Sequence, residues 1–455
     1  MSTTKQEMLS GWGRTPVASC TAWRPERGRD LKQIVTEPAN ADGHVIARGL
    51  GRSYGDASLQ PSGTIHMERL NHFIHFDTEQ GIVSAQGGVT LAELMELAIP
   101  QGWFPYNIPG SRHITIGGAF ACNVHGKNHF RDGDFAEHVL AIRLMLATGE
   151  SVECSPHQNS ELFWATAGGM GMTGVIETIT LQLKRVSSSS LSATTYRVES
   201  LDDMIAAFEH YRDGCEYMVG WIDHMAKGDM IGRGIFEAAN HTQREEGGLP
   251  LSHFTPSKPA FNVPFFFPSF ILNRYSMAIY NRRRFKKYST WRQMETIDFN
   301  TFFHPLDRIG QWNRLYGKRG FYQYQCIFPE SPDVVVRMKN FLSMLQKDKI
   351  FSFLAVIKYH RDGQGFLNFS KRGYSIALDF ANTARVRRVL PKIDQWVAEN
   401  GGRVYLAKDA LLSPELFTFM YGDKASHWLD IIHDIDPHNR FTSLMSERLG
   451  WKKTS

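Results

Sequence analysis

Arg48-Gly49-Leu50-Gly51-Arg52-Ser53-Tyr54-Gly55-Asp56 is the stretch whose reading decides the fold. It follows the strand-like Val45-Ile46-Ala47 and supplies glycines at 49, 51 and 55. Such a loop exposes consecutive backbone N–H groups that can ring a pyrophosphate, with Arg and Ser side chains nearby. It is not the fingerprint of a doubly wound dinucleotide fold. The glycine spacing differs, and Asp56-Ala57-Ser58-Leu59-Gln60-Pro61 does not open a helix. The plain alternative is an ordinary turn.

A literal GxGxxG does occur, at Gly169-Met-Gly-Met-Thr-Gly174. A dinucleotide fingerprint follows a strand and opens a helix. Here Glu161–Thr166 reads as a helix and Val175–Leu181 as a strand, so the order is reversed and a nicotinamide dinucleotide is rejected. The glycines still let backbone approach a ligand closely. A third stretch runs from Pro109 to His129, with small residues flanked by Thr115, Asn123, His125 and Lys127. It reads as backbone wrapping a flat ligand with polar edges. Cys122, His125 and His129 have C-x2-H-x3-H spacing, but a fourth ligand is missing nearby and Lys127 sits among them, so no metal is expected.

Working outward, 455 residues exceed one compact core, and two domains are expected. With 42% hydrophobic and 21% charged residues the composition is that of a soluble globular chain, and a net charge of +5 gives no case for nucleic acid. Five dispersed cysteines without a CxxC pair suit a reducing compartment. The opening Met1-Ser-Thr-Thr-Lys-Gln-Glu7 shows no signal-peptide pattern, and no run reaches the roughly 18–20 apolar residues that span a bilayer. A cytoplasmic protein is expected.

Thr90 and Glu93 form a capping box for a helix burying Leu91, Leu94, Met95 and Ala98, which Pro100 ends. Ser187–Ser190 reads as a boundary. Beyond it, 201–212, 331–346 and 385–399 are helical in pattern, the last stopped by Gly401-Gly402; 216–222, 321–328 and 351–358 look like strands. This predicts a sheet with helices on one face, an α+β plan. The stretch 256–288 departs from that texture. Its prolines 256, 259, 264 and 268 forbid a regular helix in the first half, and its aromatics precede the basic run Arg282-Arg-Arg-Phe-Lys-Lys287. Aromatics beside basic residues can dock on lipid headgroups. The alternative is a long loop packing its Phe residues on its own domain.

The loop at 48–56, Pro109-Gly-Ser-Arg112 with Gly117-Gly118-Ala119, and Phe163-Trp-Ala-Thr-Ala-Gly-Gly169 with Thr173-Gly174 together resemble the FAD domain of the vanillyl-alcohol-oxidase-type flavoenzymes. Within that class, Ser10–Arg14, His125–His129, His304–Asp307, Trp312–Arg314, Gln323–Gln325 and Tyr405–Asp409 resemble the family of decaprenylphosphoryl-ribose 2-oxidases, over nearly the whole chain and least between 225 and 295.

The resemblance implies a two-domain α+β fold: an FAD-binding domain over 1–190, to which 404–455 return, and a substrate domain with an antiparallel sheet over 191–403. It implies FAD contacts through residues 48–56, Gly110, Thr115, Ile116, Gly117, Gly118, Cys122, Asn123, His125, Ile176 and Tyr405. Many relatives bind flavin covalently through a histidine in the first loop; Arg52 stands there, which implies noncovalent FAD. Lys408, His125 and Tyr54 are the implied catalytic residues, and Lys127, Trp221, Gln325, Lys358 and Lys408 the implied substrate contacts. Taken alone, Lys408 reads as a surface lysine, and Trp221 and Gln325 as strand residues.

Oxidising a secondary alcohol needs a hydride acceptor, a group that takes the hydroxyl proton, and positive charge by the reduced flavin. The base stays open between Tyr54, His125 and a water. Mycobacterial members carry Asn and Cys where this chain has Ser375 and Ala377, and Tyr where it has Phe303, so the pocket differs. The implied activity is oxidation of the 2-hydroxyl of a polyprenyl-phosphate-linked ribose, with a short-chain reductase completing epimerisation to the arabinose donor. The competing readings are a soluble alditol or aldonolactone oxidase and an inactive flavin-binding partner.

Overall fold

Alternation with a period of two governs the largest sheet. In the strands Phe321–Pro329, Ala355–His360 and Gly373–Ala381, one residue in two enters a single apolar core: Tyr324, Cys326 and Phe328; Ala355 and Ile357; Ile376, Leu378 and Phe380. Three amphipathic helices cover that face: Leu201–Tyr211, Val334–Lys347 and Ala384–Glu399. Ser200 and Thr383 cap two of them by accepting from the N–H groups of Asp203 and Val386.

The computed structural model describes residues 4–37, 43–255, 258–268 and 270–452. Among these, eight strands form one antiparallel sheet in the order Gln293–Asp298, Ser190–Val198, Gly234–His241, Tyr217–Ile222, Ala355–His360, Gly373–Ala381, Phe321–Pro329 and Arg403–Val404. Helices on one face of an antiparallel sheet make the expected α+β plan. Two smaller sheets precede it. In one, Thr4–Ser10 and Val17–Trp23 join Thr64–His66 and Ile46–Arg48, with parallel pairing at the last two steps. The other is built around Val175–Arg185, which pairs with Ile82–Gln86, Trp103–Pro105 and Val139–Met145.

The helix Leu91–Ala98 has its capping box: Thr90 Oγ1 accepts from Glu93 N at 3.1 Å, and the Glu93 carboxylate accepts from Thr90 N at 2.8 Å. Pro100 does not end the winding. It lies inside a further 3-10 turn, Ile99–Gln101, closed by Gly102 at φ +83. Proline is tolerated there because the first residues of a turn need no donor. Ser160–Thr166 and Val175–Arg185 flank the Gly169–Gly174 turn in the order read from the sequence.

Ser187–Ser190 is where the chain passes between sheets, but it is a buried seam: Ser189 Oγ donates to Pro250 O at 2.8 Å, and Ser190 Oγ accepts from Leu249 N at 2.9 Å. The strand expected from 351 starts only at Ala355, because Ser352 N donates to His224 Nδ1 at 3.1 Å and Ser352 Oγ accepts from Asp379 N at 2.9 Å. The helix introduced by Ser331 begins at Val334.

In the aromatic–basic stretch, Pro256 lies outside the described residues, as does Ser269. Asn273 caps the helix Arg274–Lys287, which turns Met277, Asn281 and Phe285 inward. Phe265, Phe270, Tyr275 and Ile279 face solvent, Phe270 at 76% exposure, so the loop does not pack all its aromatics on its own domain. No helix among the described residues is long and apolar enough to cross a membrane. The C-terminal helices pack back against the first part of the chain: Trp428 Nε1 donates to Ala165 O at 2.8 Å, and Val45 N donates to Arg440 O at 2.8 Å.

Candidate active site

The strand Ile46–Arg48 delivers the glycine loop. Gly51 has φ +62, and a Cβ there would lie 2.1 Å from Arg48 Nη2; a Cβ on Gly49 would lie 2.2 Å from Thr115 Oγ1. Only glycine allows both approaches. The N–H groups of Leu50, Gly51, Arg52 and Ser53 donate to no group among the described residues, whereas Tyr54 N donates to Ala407 O at 2.9 Å. Four adjacent free donors in a glycine loop form an anion nest. Ser53 Oγ lies 3.5 Å from Cys122 Sγ, which ties the loop to the opposite wall.

Three side chains expected at the cofactor have other partners. Arg48 braces the loop, donating to Ser10 O at 2.7 Å and Ser58 Oγ at 3.0 Å. Asp56 pairs with Arg448 at 2.9 Å, joining the loop to the C-terminal segment. Arg52 donates to His113 O at 3.0 Å and lies 4.0 Å over the Trp12 ring.

The opposite wall is the short helix Ile116–Ala121, capped by Thr115. Gly117 N donates to Gly87 O at 2.9 Å, so the helix sits directly on backbone. Cys122 O accepts from Tyr405 OH at 2.8 Å, and Asn123 Oδ1 from Ala136 N at 3.1 Å. Ile176, second in the central strand, is buried, and Gly110 is exposed. A nest facing a wall of small residues fits a flat dinucleotide such as FAD.

The third wall is the face of the large sheet turned away from its helices. Register places Gln323 opposite Asp379, Gln325 opposite Ala377, Lys358 opposite Ser375, and Trp221 opposite Val356. This face is buried yet polar. Gln323 Nε2 donates to Asp379 Oδ1 at 2.6 Å, and Gln325 Nε2 bonds His125 Nε2 at 2.9 Å. Lys408 enters from the turn Leu406–Lys408, with its ammonium 5.9 Å over the Tyr54 ring. Lys358 and Lys408 are deeply enclosed but keep accessible surface, as groups lining a cleft do, and neither donates to a protein atom among the described residues.

Burial pushes Lys358 down to about 7, and repulsion from Lys408 and Lys127 adds to it. Burial also lowers Lys408, while Asp379 opposes the shift; burial raises Asp379 itself. Burial pushes Tyr54 far above its ordinary value, so in the substrate-free protein it keeps its proton. Burial, followed by Lys358 and neighbouring histidines, keeps His125 neutral. Its Nδ1 is buried without a partner among the described residues.

Lys127 Nζ donates to Phe302 O at 2.7 Å and lies 3.8 Å from Glu237. Trp221 is buried under Arg284, 4.9 Å from the ring. Phe303, expected to alter the pocket, belongs instead to an aromatic core with Phe104, Phe299 and Tyr217. His304–Asp307 and Trp312–Arg314 brace loops: Asp307 accepts from Arg112 N at 3.0 Å, and Arg314 donates to Val263 O at 2.9 Å. His129 sits 3.0 Å from Asp134, and the described residues hold no group of three metal-ligating side chains. Sequence reasoning missed Asp379 and His360. Their signal was the polar phase of strands whose other phase is apolar.

Residues 22–155 match the family described as an FAD binding domain. The chain is 34% identical over 460 residues to decaprenylphosphoryl-beta-D-ribose oxidase of Mycolicibacterium smegmatis, covering 98% of each chain. It is 28% identical to L-gulonolactone oxidase of Bos taurus over 45% of this chain and 47% of that one. The chain belongs to the decaprenylphosphoryl-β-D-ribose oxidase family and is an FAD-dependent oxidoreductase.

Proposed function

We propose that the protein oxidises the 2-hydroxyl of a polyprenyl-phosphate-linked ribose to the 2-keto sugar. The observation that carries this reading is the enclosure of Lys358 and Lys408 at the cleft, neither donating to a protein atom among the described residues, with Lys127 near enough to repel Lys358. Cations held together in low dielectric suit an anionic substrate, and a sugar linked through phosphate supplies the charge. Bound FAD would supply the acceptor for a hydride leaving the carbinol carbon. Lys408 orients the sugar and offsets negative charge at the junction of cofactor and substrate. Tyr54 aligns a sugar oxygen, and a base or water takes the hydroxyl proton. Gln325 and Trp221 line the sugar's side of the cleft.

In this reading residues 1–190, with 404–455 returning, hold FAD, and 191–403 supply the substrate wall. FAD is held noncovalently, because the first loop offers Arg52, engaged with His113 O and Trp12. The exposed Phe265, Phe270 and Tyr275 beside Arg282, Arg283, Lys286 and Lys287 form a surface suited to lipid headgroups, from which the prenyl chain is drawn. A separate short-chain reductase would complete the epimerisation.

The test is anaerobic: oxidised-FAD absorbance is followed after adding polyprenyl-phospho-ribose, free pentoses or aldonolactones. Rapid bleaching by the lipid-linked sugar alone is expected. Equal bleaching by free sugars would make the protein a soluble alditol or lactone oxidase, and no bleaching by any would leave a flavin-binding partner.

A further inference from the structure

Along the polar sheet face runs a chain of hydrogen bonds that ends at His125. Asp134 Oδ1 lies 3.2 Å from Ser370 Oγ, which lies 3.4 Å from His360 Nδ1. His360 Nε2 lies 2.8 Å from Ser375 Oγ, which is 3.3 Å from Gln325 Nε2, itself 2.9 Å from His125 Nε2. All six side chains are buried, and Asp134 is also met by His129 Nε2 at 3.0 Å and by the Asn368 amide.

The direction of every link follows from its end. A carboxylate only accepts, so Ser370 spends its single proton on Asp134 and must accept from His360 Nδ1–H. His360 Nε2 is then bare and accepts from Ser375 O–H. Ser375 Oγ in turn accepts from the Gln325 amide, whose second N–H goes to His125 Nε2. With the opposite direction, Ser370 would donate to His360, leaving two acceptor oxygens facing each other across 3.2 Å. Burial and neighbouring cations keep both imidazoles neutral, so each has one donor and one acceptor to pass the direction on.

We propose that Asp134, through Ser370, His360, Ser375 and Gln325, fixes His125 as the Nδ1–H tautomer, which makes it a hydrogen-bond donor to the sugar oxygen undergoing oxidation. Its Nδ1, buried and without a protein partner, is the free end of the chain. The imidazole strengthens its bond to that oxygen as the hydroxyl proton leaves, and it is not the base that takes the proton. His360 and Ser375 are positioning residues that act through Gln325. This inference rests on the proposed alcohol oxidation.

The test uses the full-length, FAD-loaded protein labelled with 15N-histidine, the His125 signals being identified by their loss in His125→Asn. A protonated Nδ1 and a bare Nε2 are expected. In His360→Phe and in Ser375→Ala the Nε2–H form should appear, and flavin reduction should slow about five- to tenfold, the worth of one hydrogen bond, with substrate affinity unchanged. Ser375→Thr, which keeps the hydroxyl, should restore both. A protonated Nε2 in the parent, or an unchanged tautomer in both variants, overturns the proposal. The spectra need no turnover, so failure of the substrate assignment alone leaves them as expected. If His360→Phe does not fold, Ser375→Ala carries the test.

Discussion

Between Leu50 and Ser53 the chain meets its ligand with backbone, whereas across 323–325, 358–360 and 375–379 it offers side chains. The loop needs glycine because its bonding groups are N–H donors that a Cβ would displace: at Gly51 the clash is with Arg48, 2.1 Å away. The sheet face is the reverse. Its backbone is paired in the ladder between neighbouring strands, and its chemistry lies in Lys358, Gln325, Asp379 and their neighbours, all enclosed. A recurring cofactor suits a backbone cradle, since N–H donors are independent of side-chain identity. A particular substrate suits a face where each second residue can change without disturbing the core behind it.

The comparison breaks most clearly at Lys408. Lys408→Ala should lower the rate of flavin reduction by about a hundred- to a thousandfold, the scale of losing one charge-stabilising group, with FAD retained. Gly51→Val puts a β-branched residue at φ +62. It should weaken FAD binding roughly ten- to hundredfold, from about 1–3 kcal/mol of strain, as read by titrating the apoprotein with FAD, with reduction per bound flavin unchanged.

Lys358 sharpens the comparison through pH. Its folded value, about 7, lies below its ordinary 10.5. Between those limits the unfolded chain holds more protons, so stability rises with pH. Lys358→Met should therefore stabilise the substrate-free protein most below pH 7, with an advantage that shrinks towards pH 10. Melting temperatures of both proteins across that range read the difference. The smallest effect is expected at the surface: Phe270→Ser with Tyr275→Ser should reduce cosedimentation with anionic vesicles while shifting stability by no more than about 0.5 kcal/mol.

The two regions also differed in how legible they were. The glycine loop, the Thr90–Glu93 cap and the reversed order around Gly169–Gly174 could be read directly, because each is fixed by residues a few positions apart. The resemblance implies cofactor contacts at Arg48 and Asp56, whose side chains bond elsewhere. Their partners Ser10 and Arg448 are remote in sequence, and local spacing says nothing of them. Lys358 and Lys408 entered only by resemblance. Asp379 and His360 were missed because which strand phase faces the cleft is set by register between distant strands. Phe303 is named only by resemblance, and it packs on Phe104 and Tyr217.

The most direct test of this division of labour measures, on the same samples of Lys408→Ala and Gly51→Val, the ratio of bound flavin to protein and the anaerobic reduction rate per bound flavin. Lys408→Ala should keep the parent's ratio and lose the rate, and Gly51→Val should lose the ratio at limiting FAD and keep the rate. If both quantities fell together in both variants, cradle and sheet face would not be separate devices, and the account would be wrong.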